Sequence, residues 1–159
     1  MAKYDLGDAS HAAAGARVGI AASRFNQHLV AKLLAGAVEA LQTNGVADSD
    51  IQLVRIAGAF ELPLAAQRLA RDGNVDAVIC LGAVVRGDTP HFEFVAGECA
   101  RGLQQVSLSE NLPVIFGVIT TNTEAQAEAR CGGSEGNKGA EAAMAALESL
   151  NAFAEIKHS

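Results

Sequence analysis

The chain has 159 residues, half of them apolar and 19% charged, with a net charge of −6 at pH 7. This composition suits one globular domain with a single core and excludes a disordered chain, while the acidic balance excludes a basic field for nucleic acid or an anionic membrane. Aromatic residues make up only 4%, with no Trp and one Tyr, so each Phe stands out against a core of Ala, Val, Leu and Ile.

Residues 1–16 have no hydrophobic period and read as an N-terminal arm, able to add a strand to a neighbouring subunit. They lack the cationic-then-apolar order of a signal peptide, and no segment has the unbroken apolar length of a membrane span. A cytoplasmic protein is expected. Residues 17–159 form the single domain. In chain order, Arg17–Ser23 reads as a buried strand and Gln27–Thr43 as a helix closed by Asn44-Gly45. Ile51–Ile56 is the second strand, and Glu61–Arg71 a helix closed by Asp72-Gly73. Asp76–Val85 is the third strand, followed by a long helix over Pro90–Glu110. Pro113–Thr120 is the fourth strand. Thr123–Arg130 and Lys138–Phe153 are Ala-rich helices separated by a glycine-rich connector, CGGSEGNKG.

Short apolar strands alternating with longer helices predict a parallel sheet covered on both faces by right-handed crossovers. The expected fold is a three-layer α/β/α domain with a four-stranded parallel, flavodoxin-like sheet. In such sheets ligands bind beyond the carboxyl ends of the strands. Arg24-Phe25-Asn26, Gly58–Glu61, Arg86–His91 and Thr121–Thr123 gather there.

Several familiar motifs fail. Gly82 and Gly87 have P-loop spacing, but Asp88-Thr89 stands where Lys-Ser/Thr is required. Gly132–Gly136 matches GxSxG without a strand to raise the serine. His91-Phe92-Glu93 opens like a zinc deaminase motif, yet no PCxxC completes it. Cys80, Cys99 and Cys131 lack CxxC spacing and read as free thiols of a reducing compartment, with no metal site expected.

The turn Arg86–His91 carries more. Thr89 suits an N-cap and Pro90 the first helical position, so a helix start is expected, with free N–H groups and a positive dipole end facing any anion. An ordinary capped helix would explain Thr-Pro alone. Gly87 lets an anion approach the backbone, whereas Asp88 opposes one unless only its N–H serves. His91 falls in the first helical turn, where the dipole favours neutral imidazole and proton transfer near neutral pH. Phe25 could be a core aromatic; past a strand end and beside Asn26, it could equally stack on a flat heterocycle whose polar edges the amide reads. Glu61 suits either a helix start or hydroxyl recognition. Arg130 and Lys138 flank the glycine-rich connector.

Five stretches in register resemble the lumazine synthase family: SRFN (23–26), GAFELP (58–63), LGAVVRGDTPHFEFV (81–95), FGVITTNTEAQAEAR (116–130) and GNKGAEAA (136–143). The resemblance runs from about Arg17 to Leu150. It implies a transferase that condenses 5-amino-6-(D-ribitylamino)uracil with 3,4-dihydroxy-2-butanone 4-phosphate, without metal or cofactor, in riboflavin biosynthesis. By the same resemblance Phe25 would stack on the pyrimidine, with Asn26 beside it, and Ala59, Phe60 and Glu61 would hold the uracil and ribityl chain. Ala83, Val84 and Val85 would offer backbone contacts to the uracil edge. Gly87, Asp88, Thr89 and Arg130 would bind the phosphate, and His91 would transfer protons. Phe116, Arg130 and Lys138 would come from an adjacent subunit of a homopentamer, which in this family can close into an icosahedral shell and can partner riboflavin synthase.

The sequence departs from the family pattern at Ala57, where Pro is common, at Asp88, and at Ser134-Glu135 in place of a Lys-Ala pairing. Three rival readings are weaker. An enzyme of similar fold that makes riboflavin from two lumazines would need no phosphate turn. A non-catalytic flavin-binding or shell-forming paralogue would have lost His91 or Arg130. A generic flavodoxin-like module would lack the pairing of Phe25 with Glu61.

Overall fold

The computed structural model describes residues 15–156. All but Gly15 and Ala16 of the expected N-terminal arm lies outside these residues. Four parallel strands make the main sheet: β1 (Val18–Ser23), β2 (Ile51–Ile56), β3 (Ala77–Val85) and β4 (Val114–Thr121), in the order β2-β1-β3-β4. The intervening helices are α1 (Gln27–Thr43), α2 (Leu62–Asp72) and α3 (His91–Glu110). A short α4 (Glu124–Ala129) and the long α5 (Lys138–Ala154) follow β4. The three-layer, flavodoxin-like architecture is as the alternation of strands and helices requires. Among the described residues no helix is long and apolar enough to cross a membrane.

The strands are apolar on both faces because both faces are covered. Ile20, Ile79, Leu81 and Ile119 pack against Leu29, Val30, Leu33 and Leu41 of α1 and Ala143 and Leu147 of α5. On the other face Ala21, Val78, Cys80 and Val118 meet Leu62, Ala66 and Leu69 of α2 and Cys99, Leu103 and Val106 of α3. Each fully buried Leu, Ile or Val side chain contributes about 1.5–3 kcal/mol over its exposed state.

The α1 and α5 helices approach closely because two glycines permit it. A Cβ on Gly36 would run into the Asn137 amide, and one on Gly139 into the backbone of Leu33. Asn137 fixes the start of α5: its Oδ1 accepts hydrogen bonds from Gly139 N (2.8 Å) and Ala140 N (3.0 Å), and its Nδ2 donates to Lys32 O (3.0 Å). The cap thus ties one helix to the other while satisfying orphan N–H groups.

The structure corrects two local expectations. The glycine-rich connector is an antiparallel hairpin, β5 (Cys131–Gly133) and β6 (Gly136–Asn137), turned by Gly132 and Gly136 at φ of 99° and 79°. Left-handed backbone at two glycines lets so short a segment reverse direction. The second concerns α3, which starts at His91 with Pro90 in the capping place; Thr89 is not its N-cap. Thr89 Oγ1 lies 3.5 Å from His91 N, too far for a firm bond, so no side chain closes this helix start.

Candidate active site

The carboxyl ends of the strands carry most of the residues singled out by sequence. The first loop is held by β2: Arg24 N donates to Ile56 O (2.8 Å) and Phe25 N to Ala57 O (3.0 Å). Asn26 then turns the chain into α1 with a left-handed backbone, φ 57°, a conformation Asn tolerates better than most residues. Its Nδ2 donates to Ala83 O at 2.9 Å, fastening the loop to β3. This leaves the Phe25 ring projecting outward, 69% exposed. The bond between the Asn26 amide nitrogen and the Ala83 carbonyl thus fixes the loop that carries Phe25 to the end of β3.

β3 outruns β1. Its last partner on β1 is Leu81, opposite Ala22, whereas on β4 it pairs through Val85–Thr121. Gly82–Val85 thus have a strand neighbour on one side only, and the uncovered side faces the loop that carries Phe25. After β2, a single turn of 3-10 helix, Ala59–Glu61, leads into α2. Glu61 Oε2 accepts from Gly58 N (3.1 Å), so one carboxylate oxygen closes this turn. Phe60 is 60% exposed and Ala59 buried.

The turn between β3 and α3 is solvent-facing throughout: Arg86, Gly87, Asp88, Thr89 and His91 are all exposed. A Cβ on Gly87 would meet no protein atom within 4 Å, so nothing within the described chain requires glycine there. The N–H groups of the first turn of α3 have no side-chain cap. Helix dipole and free donors together favour an anion at this point.

Arg130 and Lys138 flank the hairpin that follows α4, and Phe116 lies lower on the sheet. Arg130 is half-buried at the end of α4, where its Nη1 donates to Gln126 O (2.9 Å). Its carbonyl accepts from Lys138 N (2.9 Å), which brings the two residues together on the hairpin, and Lys138 Nζ pairs with Glu141 at 2.8 Å. Phe116, 44% exposed, lies on the edge strand opposite Cys80, five residues short of the Thr121–Val85 pair. At ~3.3 Å per residue it sits roughly 16 Å below the strand ends. No hydrogen bond or ion pair among the described residues links these three to Phe25, Glu61 or His91.

His28, Glu124 and Glu128 place possible metal-ligand atoms within 4.8 Å of one another. The cluster is already closed by contacts between α1 and α4: His28 Nε2 lies 2.6 Å from Glu124 Oε1, within hydrogen-bond reach, and Lys32 Nζ pairs with Glu128 Oε2 at 2.6 Å. That ammonium holds Glu128 below the usual carboxylate range and opposes a cation. The adjoining shallow depression, lined by Lys32, Glu128, Cys131 and Gly132, contains none of the residues at the strand ends. Burial pushes the thiols up, Cys99 to about 12, which leaves them protonated and unreactive.

A family model described as 6,7-dimethyl-8-ribityllumazine synthase matches residues 15–154. The chain belongs to that family. It is a transferase of riboflavin biosynthesis, a lumazine synthase by family. Arg86, Glu93 and Asn122 adjoin the turn Gly87–Thr89; the sequence reading set Arg86 and Asn122 at the strand ends without a role and gave Glu93 no part in the site. Arg86 Nε donates to Asn122 Oδ1 (2.9 Å), its Nη1 pairs with Glu93, and its guanidinium lies 4.4 Å from the Phe92 ring centroid. One signal was present in the sequence: an Arg followed six and seven residues later by an aromatic and a carboxylate, enclosing a Gly-Asp-Thr-Pro turn.

Proposed function

We propose that the chain condenses 5-amino-6-(D-ribitylamino)uracil with 3,4-dihydroxy-2-butanone 4-phosphate, giving 6,7-dimethyl-8-ribityllumazine, phosphate and water. The observation that carries this reading is the convergence at one sheet edge of an outward-facing Phe25, the free side of β3, Glu61 and an uncapped helix start bearing His91. The pyrimidine stacks on Phe25 and reads its edge against the backbone of Ala83–Val85. Ala59, Phe60 and Glu61 take the ribityl chain, Glu61 through the carboxylate oxygen that the 3-10 turn leaves over. The phosphate sits on the turn Gly87–Thr89, where Asp88 serves through its N–H and Arg130 of a neighbouring copy supplies the opposing charge.

The ring 5-amine attacks the ketone and loses water to form an imine. Proton removal at the adjacent carbon, with His91 as acceptor, allows the phosphate to leave. The enol left by phosphate loss tautomerises to a ketone, the ribitylamino nitrogen closes the ring onto that new carbonyl, and a second dehydration gives the product. No step calls for a metal or an external redox partner. Much of the acceleration comes from holding two substrates in register, because effective molarities for well-placed reactants are large. Phe116, Lys138 and Arg130 reach the site of the adjacent subunit in a homopentamer. Pentamers of this kind can close into a shell and associate with riboflavin synthase.

The test is an absorbance assay with both substrates, following lumazine formation above the uncatalysed background. Clear acceleration that collapses in Arg130→Ala, with the protein still assembled, supports the reading. Absence of acceleration together with tight flavin binding overturns it in favour of a non-catalytic binding or shell protein.

A further inference from the structure

We propose that Arg86 is a positioning residue that fastens the anion turn and His91 in place without itself touching the phosphate. The inference rests on the reading of Gly87–Thr89 as the phosphate site. Arg86 N donates to Thr121 O (2.8 Å), which anchors the residue to the end of β4. Its guanidinium reaches two ways: Nε to Asn122 Oδ1 (2.9 Å), beyond β4, and Nη1 to Glu93, in the first turn of α3. The Phe92 ring lies 4.4 Å beneath the cation. The segment 87–91 is therefore a loop whose two ends are clasped by one side chain.

The partners of that clasp are themselves fixed. Asn122 N donates to Gln126 Oε1 (2.9 Å), which also accepts from Thr123 N (3.2 Å) in the capping box of α4. The side chain thus ties the start of α3 to the start of α4 at the sheet edge. Among the described residues no other side chain spans the turn: its own residues are exposed, and the Thr89 contact is long. A planar fork with donors in fixed directions, stacked on a ring, is suited to this task, and an ammonium on a flexible stem is not. Because Glu93 already neutralises the guanidinium, the role is geometric. Donors misplaced by about an ångström lose much of their value for a bound substrate.

Arg86→Ala, Arg86→Lys and Glu93→Gln in the assembled protein test the proposal. Arg86→Ala should raise KM for the ketose phosphate at least tenfold and leave KM for the ribitylaminouracil within about twofold. Arg86→Lys, which can keep the ion pair but not both arms, should fall between. Glu93→Gln separates positioning from direct charge: it removes a nearby negative charge, so a guanidinium acting on phosphate would bind it more tightly. Positioning requires weaker binding. Inorganic phosphate binding, followed by calorimetry, should weaken in the same order whether or not lumazine forms, so this arm judges Arg86 independently of the reaction. Unchanged KM values, equal rises in both, tighter phosphate binding in Glu93→Gln, or no phosphate binding by the wild type each overturns the proposal. If Arg86→Ala does not fold, the Lys and Gln variants decide it.

Discussion

His91 stands at the head of α3 with its side chain exposed, next to the turn assigned to phosphate. General acid–base groups typically contribute about 100- to 10,000-fold, and the lower end is expected where two bound substrates are already placed to react. His91→Ala should therefore lower kcat by no more than roughly 100-fold; complete loss of activity in a folded, assembled variant would contradict a reaction driven mainly by positioning. Glu93 gives a second check at this scale. Its hydrogen bond and charge pairing with Arg86 hold its carboxyl below the ordinary range. A carboxylate depressed in the folded state stabilises above its unfolded pKa, and that contribution is lost as pH falls through the lowered value. By carbon NMR the Glu93 carboxyl should titrate below the ordinary glutamate range in the wild type and return toward that range in Arg86→Ala. A midpoint unchanged by that substitution would mean the clasp does not exist in solution. Only the local half of the clasp proposed for Arg86, its spacing to Phe92 and Glu93, was legible in the sequence, because its other partner Asn122 is 36 residues away and only the pairing of β3 with β4 brings them together. Phe25 was legible for the opposite reason: a large ring just past a buried strand has either a core to enter or a ligand to meet, and the loop's bonds to β2 turn it outward.

At the level of elements, hydrophobic period and punctuation carried most of the fold. The spans of α1 and β2 match the sequence reading, and the other main elements differ by a residue or so at their ends, where boundaries are weakly determined. The hairpin β5–β6 was not legible because it has no apolar pattern; its shape comes from two glycines at positive φ and from packing against α1 and α4. Nor could sequence say why Gly36 and Gly139 are small, since each answers to a helix a hundred residues distant. Gly139→Ala would place a methyl against the Leu33 backbone, where neither helix can yield without disturbing the Asn137 cap. Overpacking of this kind costs about 1–3 kcal/mol, equivalent to a fall in Tm of roughly 3–10 °C for a domain of this size. Differential scanning calorimetry at matched protein concentration would measure it. An unchanged Tm would mean that α1 and α5 are not pressed together as described.

For the molecule as a whole, the residues proposed for the site fall into two groups on one chain. Phe25, Glu61 and His91 lie at the strand ends, whereas Phe116 sits roughly 16 Å down the edge strand at ~3.3 Å per residue, and Arg130 and Lys138 flank the hairpin. Phe25, Phe60, Phe94 and Phe116 are all more than 40% exposed, an unusual outlay of the few aromatics in the chain. A head-to-tail ring of copies, in which the edge of one subunit covers the strand ends of the next, would bury these rings and unite the groups. Complementation tests this directly. Glu61→Ala removes a residue of the first group and Arg130→Ala one of the second, so each variant alone should be nearly inactive. Dissociated, mixed in equal amounts and reassembled, they should form some interfaces where both contributions are intact. Random assortment in a ring makes that about one interface in four, so activity should return to about a quarter of the wild-type value. No recovery after verified subunit exchange, in a protein that has reassembled, would mean that each chain builds its site alone, and Arg130 would then have to reach the turn Gly87–Thr89 of its own subunit.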